Sequence, residues 1–221
     1  MAKLARPAPA MVKLTIDGRA VEGPKGMTVL QIARLNAIYI PHLCHHPELQ
    51  PSGVCRLCMV AVGGEVVLSC LTPVEQGMEV KTKSPEIDKA RQVNIEILVA
   101  NHHLDCRGCP GNRRCALQKL MAYIRIDRKR VRRLRPPKEE QPIERSNPCF
   151  DYDPNKCVLC EVCVHTCKEI QHAMHIVGRG PKTRIAFFGD SSICESCGKC
   201  VVRCPVGSLF FKEKAALQES A

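Results

Sequence analysis

The stretch "CVLCEVCVHTC" at residues 157–167 and the stretch "CESCGKCVVRC" at 194–204 share one spacing, C-x2-C-x2-C-x3-C. Two copies of one short unit predict a pseudo-twofold module with a site in each half. Three cysteines set two apart can wrap a compact metal centre in a single loop. The fourth falls on the next turn of chain, starting a helix, and points toward the neighbouring copy. A structural zinc site closes with two Cys pairs instead, and three evenly spaced cysteines with a distant fourth do not match that closure.

With Pro205 directly after the last cysteine, the spacing is that of the bacterial run for two iron–sulfur clusters. In that run the fourth cysteine of each copy ligates the other cluster. The pattern predicts one [4Fe–4S] cluster on Cys157, Cys160, Cys163 and Cys204. It predicts a second on Cys194, Cys197, Cys200 and Cys167. Lys168 stands where the first run would often carry a proline, which weakens a turn preference and removes no ligand.

At the other end of the chain, "MVKLTID" (11–17) alternates apolar and polar residues and reads as a strand. Gly18 turns it into a second, within "GRAVEG". Thr28 opens a helix with Gln31 as its capping-box partner, and Pro41 marks the stop. "CMVAV" (58–62) and "EVVLSC" (65–70) flank Gly63-Gly64, a two-residue hairpin loop, and "MEVKT" (78–82) adds a strand. A helix laid on a mixed sheet in this order is a β-grasp layout. On it, Cys44, Cys55, Cys58 and Cys70 make C-x10-C-x2-C-x11-C. This resembles the plant-type [2Fe–2S] pattern of three ligands in one loop and a remote fourth, with a longer first gap.

Between these modules, Ser84 caps and Pro85 opens a helix that runs into Asn101 and His102. Cys106, Cys109 and Cys115 follow and lack a fourth ligand. Cys149 is one candidate. His102 and His103 are others, since imidazole replaces thiolate on iron in Rieske centres. "ALQKLMAYIRI" (116–126) reads as a helix, and "DRKRVRRLRPPKEEQP" (127–142) as a basic, proline-rich linker.

The chain has 16 Cys, no Trp, three Tyr and five Phe. So little aromatic core material points to a fold stapled by disulfides or metal. Disulfides belong to exported proteins. The N-terminus, "MAKLARPAPAMVKLTIDG", has no apolar leader segment, and no apolar run reaches membrane-spanning length. A reducing cytoplasm is therefore expected, where clustered cysteines bind metal. No G-x-G-x-x-G or P-loop is present; "GRGPKTRIAFFG" (178–189) lacks the spacing.

Taken in order, C-x10-C-x2-C-x11-C, then H-x3-C-x2-C-x5-C, then two ferredoxin runs resemble one iron–sulfur module over about residues 11–212. It is similar to the N-terminal part of the [FeFe]-hydrogenase catalytic chain and of the large iron–sulfur subunit of complex I. It is similar, too, to the iron–sulfur portions of NAD-linked hydrogenases and formate dehydrogenases. The resemblance implies that His102, in "HHLDC", joins Cys106, Cys109 and Cys115 on a His/Cys3 [4Fe–4S] cluster. It supports [2Fe–2S] for the first group, and it leaves Cys149 as a buried or free thiol. It further implies a chain without catalytic residues, whose iron sits on the residues named. FMN and NAD(P) belong to a flavoprotein partner, and turnover to a catalytic large subunit, because the residues after Cys204 leave no room for a hydrogen-activating or molybdopterin domain.

The expected class is α+β. It comprises an arm (1–10), a β-grasp [2Fe–2S] domain (11–84), a helical His/Cys3 domain (85–140), a two-cluster ferredoxin domain (141–215) and a tail (216–221). The formal charge of +11 is offset by about −7 from four oxidised clusters, which weakens a nucleic-acid reading. The run Arg128, Lys129, Arg130, Arg132, Arg133 and Arg135 is then a solvated face or a docking surface; no aromatic side chains interleave it for base stacking. The function expected first is electron transfer within an NAD(P)-linked hydrogenase. A formate dehydrogenase or complex I-like enzyme comes second and a free polyferredoxin third. A zinc-stabilised nucleic-acid-binding protein is the alternative from another class.

Overall fold

The computed structural model describes residues 10–137 and 140–212. The expected tail, and the arm up to residue 9, lie outside the described residues. Contacts divide the chain into two compact units. One comprises the chain up to His42 together with Arg56–Arg91; the other comprises Leu43–Cys55 and the residues from Gln92 onward.

The first unit is built on β1 (Met11–Ile16), β2 (Arg19–Pro24), α1 (Val29–Leu35), β3 (Met59–Val62), β4 (Glu65–Leu68) and β5 (Glu79–Lys81). The strands form one sheet in the order β2-β1-β5-β3-β4, with β1 and β5 parallel. The alternation in β1 puts Val12, Leu14 and Ile16 inward, against Leu30, Ile32, Val60 and Val80. Gly63 and Gly64 both have positive φ, the conformation that a two-residue hairpin of primed type requires. Thr28 and Gln31 exchange both capping-box hydrogen bonds. The helix ends at Leu35, well before Pro41. The Asn36 side chain donates to the Ile32 carbonyl at 2.9 Å, and Ala37 turns left-handed, so the stop is made locally and the proline is not its cause.

Next comes α2 (Pro85–Ala100), with the Ser84 hydroxyl accepting from the Ile87 N–H at 3.1 Å. The second unit continues through α3 (Ala116–Ile124) and α4 (Arg128–Leu134). The linker reading of 127–142 therefore fails over α4. Asp127 caps this helix, accepting from the N–H groups of Lys129 and Arg130 at 2.8 and 3.2 Å. Arg, Lys and Leu are strong helix formers; the density of like charge concealed them. Glu96 on α2, fully buried, takes the Asp127 N–H at 3.1 Å and faces Arg130 Nε at 3.0 Å. Glu96→Ala is expected to destabilise this unit by about 2–4 kcal/mol, the range for breaking a buried charged contact. Glu96→Gln, which keeps an acceptor for Asp127, should lose less; denaturant unfolding of the two variants measures the difference.

The remainder consists of β6 (Phe150–Tyr152), α5 (Val162–Lys168), β7 (Met174–Val177), β8 (Arg184–Phe187), α6 (Ser191–Cys197), α7 (Lys199–Val202) and β9 (Leu209–Phe211). β6 pairs antiparallel with β9, and β7 with β8. The repeat is not strict. The second cysteine run is helical from Ser191, whereas the first is irregular up to Glu161, a left-handed residue that starts α5.

Candidate metal centres

Three cavities of the second unit have cysteine walls. One is lined by Cys157, Cys160, Cys163 and Cys204. Another is lined by Cys167, Cys194, Cys197 and Cys200. α5 thus supplies Cys163 to one cavity and Cys167, a turn later, to the other. The third is lined by Cys106, Cys109, Cys115 and both His102 and His103.

The two histidines differ sharply. His102 is 6% exposed, and its Nδ1 is buried without a hydrogen-bond partner among the described residues. Burial lowers its pKa to about 4 against the opposing pull of the Lys156 backbone carbonyl. The ring is neutral at neutral pH and keeps a free lone pair, as a metal ligand must. The His103 side chain is 44% exposed and faces Glu140 at 3.8 Å.

In the first group, Cys44 and Cys55 have their sulfurs 3.3 Å apart. Sharing that hydrogen bond pulls the Cys44 thiol below its ordinary range. Cys58 and Cys70 belong to the β-grasp core. The Ser69 N–H and hydroxyl both donate to the Cys58 carbonyl, at 3.0 and 2.7 Å. The buried Arg91 guanidinium donates to the carbonyls of Leu57 and Met59 on either side of Cys58. Cys149 is buried beside Phe150 and lines none of the three cavities.

Burial pushes the thiols of Cys157, Cys160 and Cys163 up, and that of Cys200 to about 12. A thiolate in such a place needs a bound cation. Donors nevertheless point at the sulfurs. Cys157 meets the hydroxyl of Tyr152 and the Leu159 N–H. Asn147 and Gln171 each donate a side-chain N–H to Cys194 at 3.6 Å. The Ala173 N–H reaches Cys167 at 3.3 Å. An orphaned buried imidazole nitrogen and aimed donors around encircling thiols both fit iron–sulfur clusters.

Comparison with known proteins finds iron–sulfur domains in three segments. Residues 9–85 match a 2Fe-2S iron-sulfur cluster binding domain, residues 91–130 the iron-sulfur binding region of NADH-ubiquinone oxidoreductase-G, and residues 156–208 a 4Fe-4S dicluster domain. A chain in the crystal structure of an NAD+-reducing [NiFe]-hydrogenase superposes with a TM-score of 0.82 at 33% identity, over 91% of this chain and 88% of that one. The chain belongs to this iron–sulfur family. Curated members include the NADPH-Fe(3+) oxidoreductase subunit alpha of Geobacter sulfurreducens, 37% identical over 91% of this chain and 24% of that protein. The mitochondrial NADH-ubiquinone oxidoreductase 78 kDa subunit of Neurospora crassa is 35% identical over 94% and 28%. The chain thus spans about a quarter of the length of these two relatives. Among the described residues no helix is long and apolar enough to cross a membrane.

Several supporting residues carry no motif. Asn147, Gln171, Tyr152 and Arg91 act through side chains brought in from elsewhere in the chain. Gly111 and Gly207 act through what they lack. Gly207 has φ +74°, and a Cβ there would lie 2.5 Å from the Gly111 backbone nitrogen. The Ala116 N–H donates to the Pro205 carbonyl at 2.8 Å, so the Cys109–Cys115 loop packs directly on the segment after Cys204. Gly207→Ala is expected to cost about 1–3 kcal/mol in backbone strain. It should disturb the His102 and Cys204 cavities together and spare the Cys194 cavity; EPR of the reduced protein would resolve which signals move.

Proposed function

We propose that this chain is the electron-relay subunit of an NAD(P)-linked oxidoreductase complex. It holds one [2Fe–2S] cluster on Cys44, Cys55, Cys58 and Cys70. It holds three [4Fe–4S] clusters: on His102, Cys106, Cys109 and Cys115; on Cys157, Cys160, Cys163 and Cys204; and on Cys194, Cys197, Cys200 and Cys167. The observation that carries the reading is where the remote ligands fall. Cys204, Cys167 and His102 each line the cavity of the three cysteines they are assigned to.

A bound cluster exchanges one electron with little rearrangement. The chain's own residues do the rest. Burial of Cys160 and Cys163 keeps water away, which sets the local dielectric. Asn147, Gln171 and Tyr152 hold charge on sulfur, and hydrogen bonds of that kind tune reduction potential. His102 replaces one thiolate by a neutral ring, making its site less negative by about one charge.

Electrons pass between a flavoprotein subunit carrying FMN and NAD(P) and a catalytic large subunit. The match over 88% of a hydrogenase chain supports hydrogenase first and formate dehydrogenase or a complex I-like enzyme second. Anaerobic isolation from the native host tests this. The expected result is acid-labile sulfide, dithionite-bleached visible absorbance, and co-purification with a flavin-containing and a catalytic subunit. Stoichiometric zinc without sulfide would overturn it.

A further inference from the structure

The helix α4 carries more like charge than its Asp127 cap offsets. Arg128, Lys129 and Arg130 occupy its first turn, where the macrodipole disfavours cations. Arg128 with Arg132, and Lys129 with Arg133, are like-charge pairs four residues apart, which destabilise a helix. Arg130 faces the buried Glu96, and Val131 is the helix's buried residue. Arg128, Lys129, Arg132 and Arg133 are exposed; the Asp127 carboxylate at the cap acts on Lys129 and Arg133 and balances only part of this positive charge. Folding alone does not call for such a surface; an anionic partner does.

That surface adjoins one metal centre. Arg135, directly after α4, donates through Nη2 to the His102 carbonyl at 3.4 Å. It lines a surface cavity with His102, His103, Asn101 and Asn155. The loop bearing Cys106, Cys109 and Cys115 is itself basic, with Arg107, Arg113 and Arg114 exposed. Leu104, Leu134 and Tyr123 add exposed apolar area, and interface cores favour Arg and Tyr.

We infer that the basic face of α4 and the 106–115 loop form the docking surface for an acidic redox protein that exchanges electrons with the His102 centre. The inference rests on the relay reading. Nucleic acid fits less well because no aromatic side chain interleaves residues 128–135. A membrane surface fits less well because α4 presents Leu134 and no apolar face.

The test uses the holoprotein, reduced anaerobically and mixed in stopped flow with the acidic acceptor cytochrome b5 or the basic acceptor cytochrome c. Electron transfer to cytochrome b5 should fall about tenfold between roughly 0.02 and 0.3 M salt, as steered association does, and transfer to cytochrome c should not fall. R132E/R133E should lower the low-salt cytochrome b5 rate about tenfold and flatten its salt dependence. K13E/K25E, with the same change in net charge, should stay within about twofold. If the first variant loses iron, R132Q/R133Q replaces it, with a drop of about threefold expected. Equal cytochrome b5 rates in the two double variants overturn the inference. Binding of duplex DNA or anionic vesicles that R132E/R133E abolishes, with cytochrome b5 rates unchanged, overturns it too. A protein that never bleaches with dithionite instead sinks the relay reading, so the two failures are distinguishable.

Discussion

His102→Ala should yield protein lacking one [4Fe–4S] cluster, roughly four iron and four sulfide per chain, while His103→Ala keeps its full complement. The two residues are adjacent and both touch the same cavity, yet their situations oppose each other. The His102 ring is buried, with Nδ1 unpartnered among the described residues; the His103 ring is largely exposed and sits near Glu140. Removing an imidazole that supplies the fourth bond to iron leaves a three-cysteine site open to water and to cluster loss. Removing a solvated ring changes little. His102→Cys separates ligation from bulk. A thiolate there should retain the iron and shift that cluster to lower potential, since it adds about one negative charge. Iron and sulfide analysis with redox-titrated EPR reads all three variants. Unaltered iron content and spectra in His102→Ala would exclude the residue from the site.

The cysteine spacing made most of this chain legible. C-x2-C-x2-C-x3-C constrains three sulfurs to one loop and ejects the fourth, and strand alternation with Gly63-Gly64 exposed the β-grasp sheet. The failures have physical reasons. α4 resembles a linker in sequence because its density of like charge masks the helix propensity of Arg, Lys and Leu, and its cap is the single residue Asp127. Pro41 is the strongest helix breaker near α1 in the sequence, yet Asn36 and Ala37 end the helix first, by local hydrogen bonding and a left-handed turn. The donors to Cys194 could not be found beforehand. Asn147 and Gln171 come from positions on either side of α5, and only the folded chain brings both to one sulfur. Gly207 was visible as a glycine near a cysteine, but its need to clear Gly111 is a tertiary fact.

Cys167→Ala should strip the cluster from the second run rather than from its own. The cause is helical geometry. Cys163 and Cys167 both lie on α5, and four residues of α-helix advance the chain by about 6 Å. Cys163 lines the cavity of Cys157 and Cys160, and Cys167 that of Cys194, Cys197 and Cys200. In the variant, native-state alkylation followed by mass spectrometry should label Cys194, Cys197 and Cys200, with Cys157, Cys160, Cys163 and Cys204 protected by their cluster. Cys204→Ala should give the mirror image, labelling Cys157, Cys160 and Cys163 and sparing the second run's first three. Ligation within each run makes the opposite forecast for both variants, so one pair of labelling maps decides between them. The effect is large because these thiols change from metal-bound to bare. A bare Cys194 is half-exposed, whereas Cys160 and Cys163 are buried, so labelling should be faster in Cys167→Ala than in Cys204→Ala. That asymmetry follows from burial alone and gives the crossed arrangement a second, independent signature.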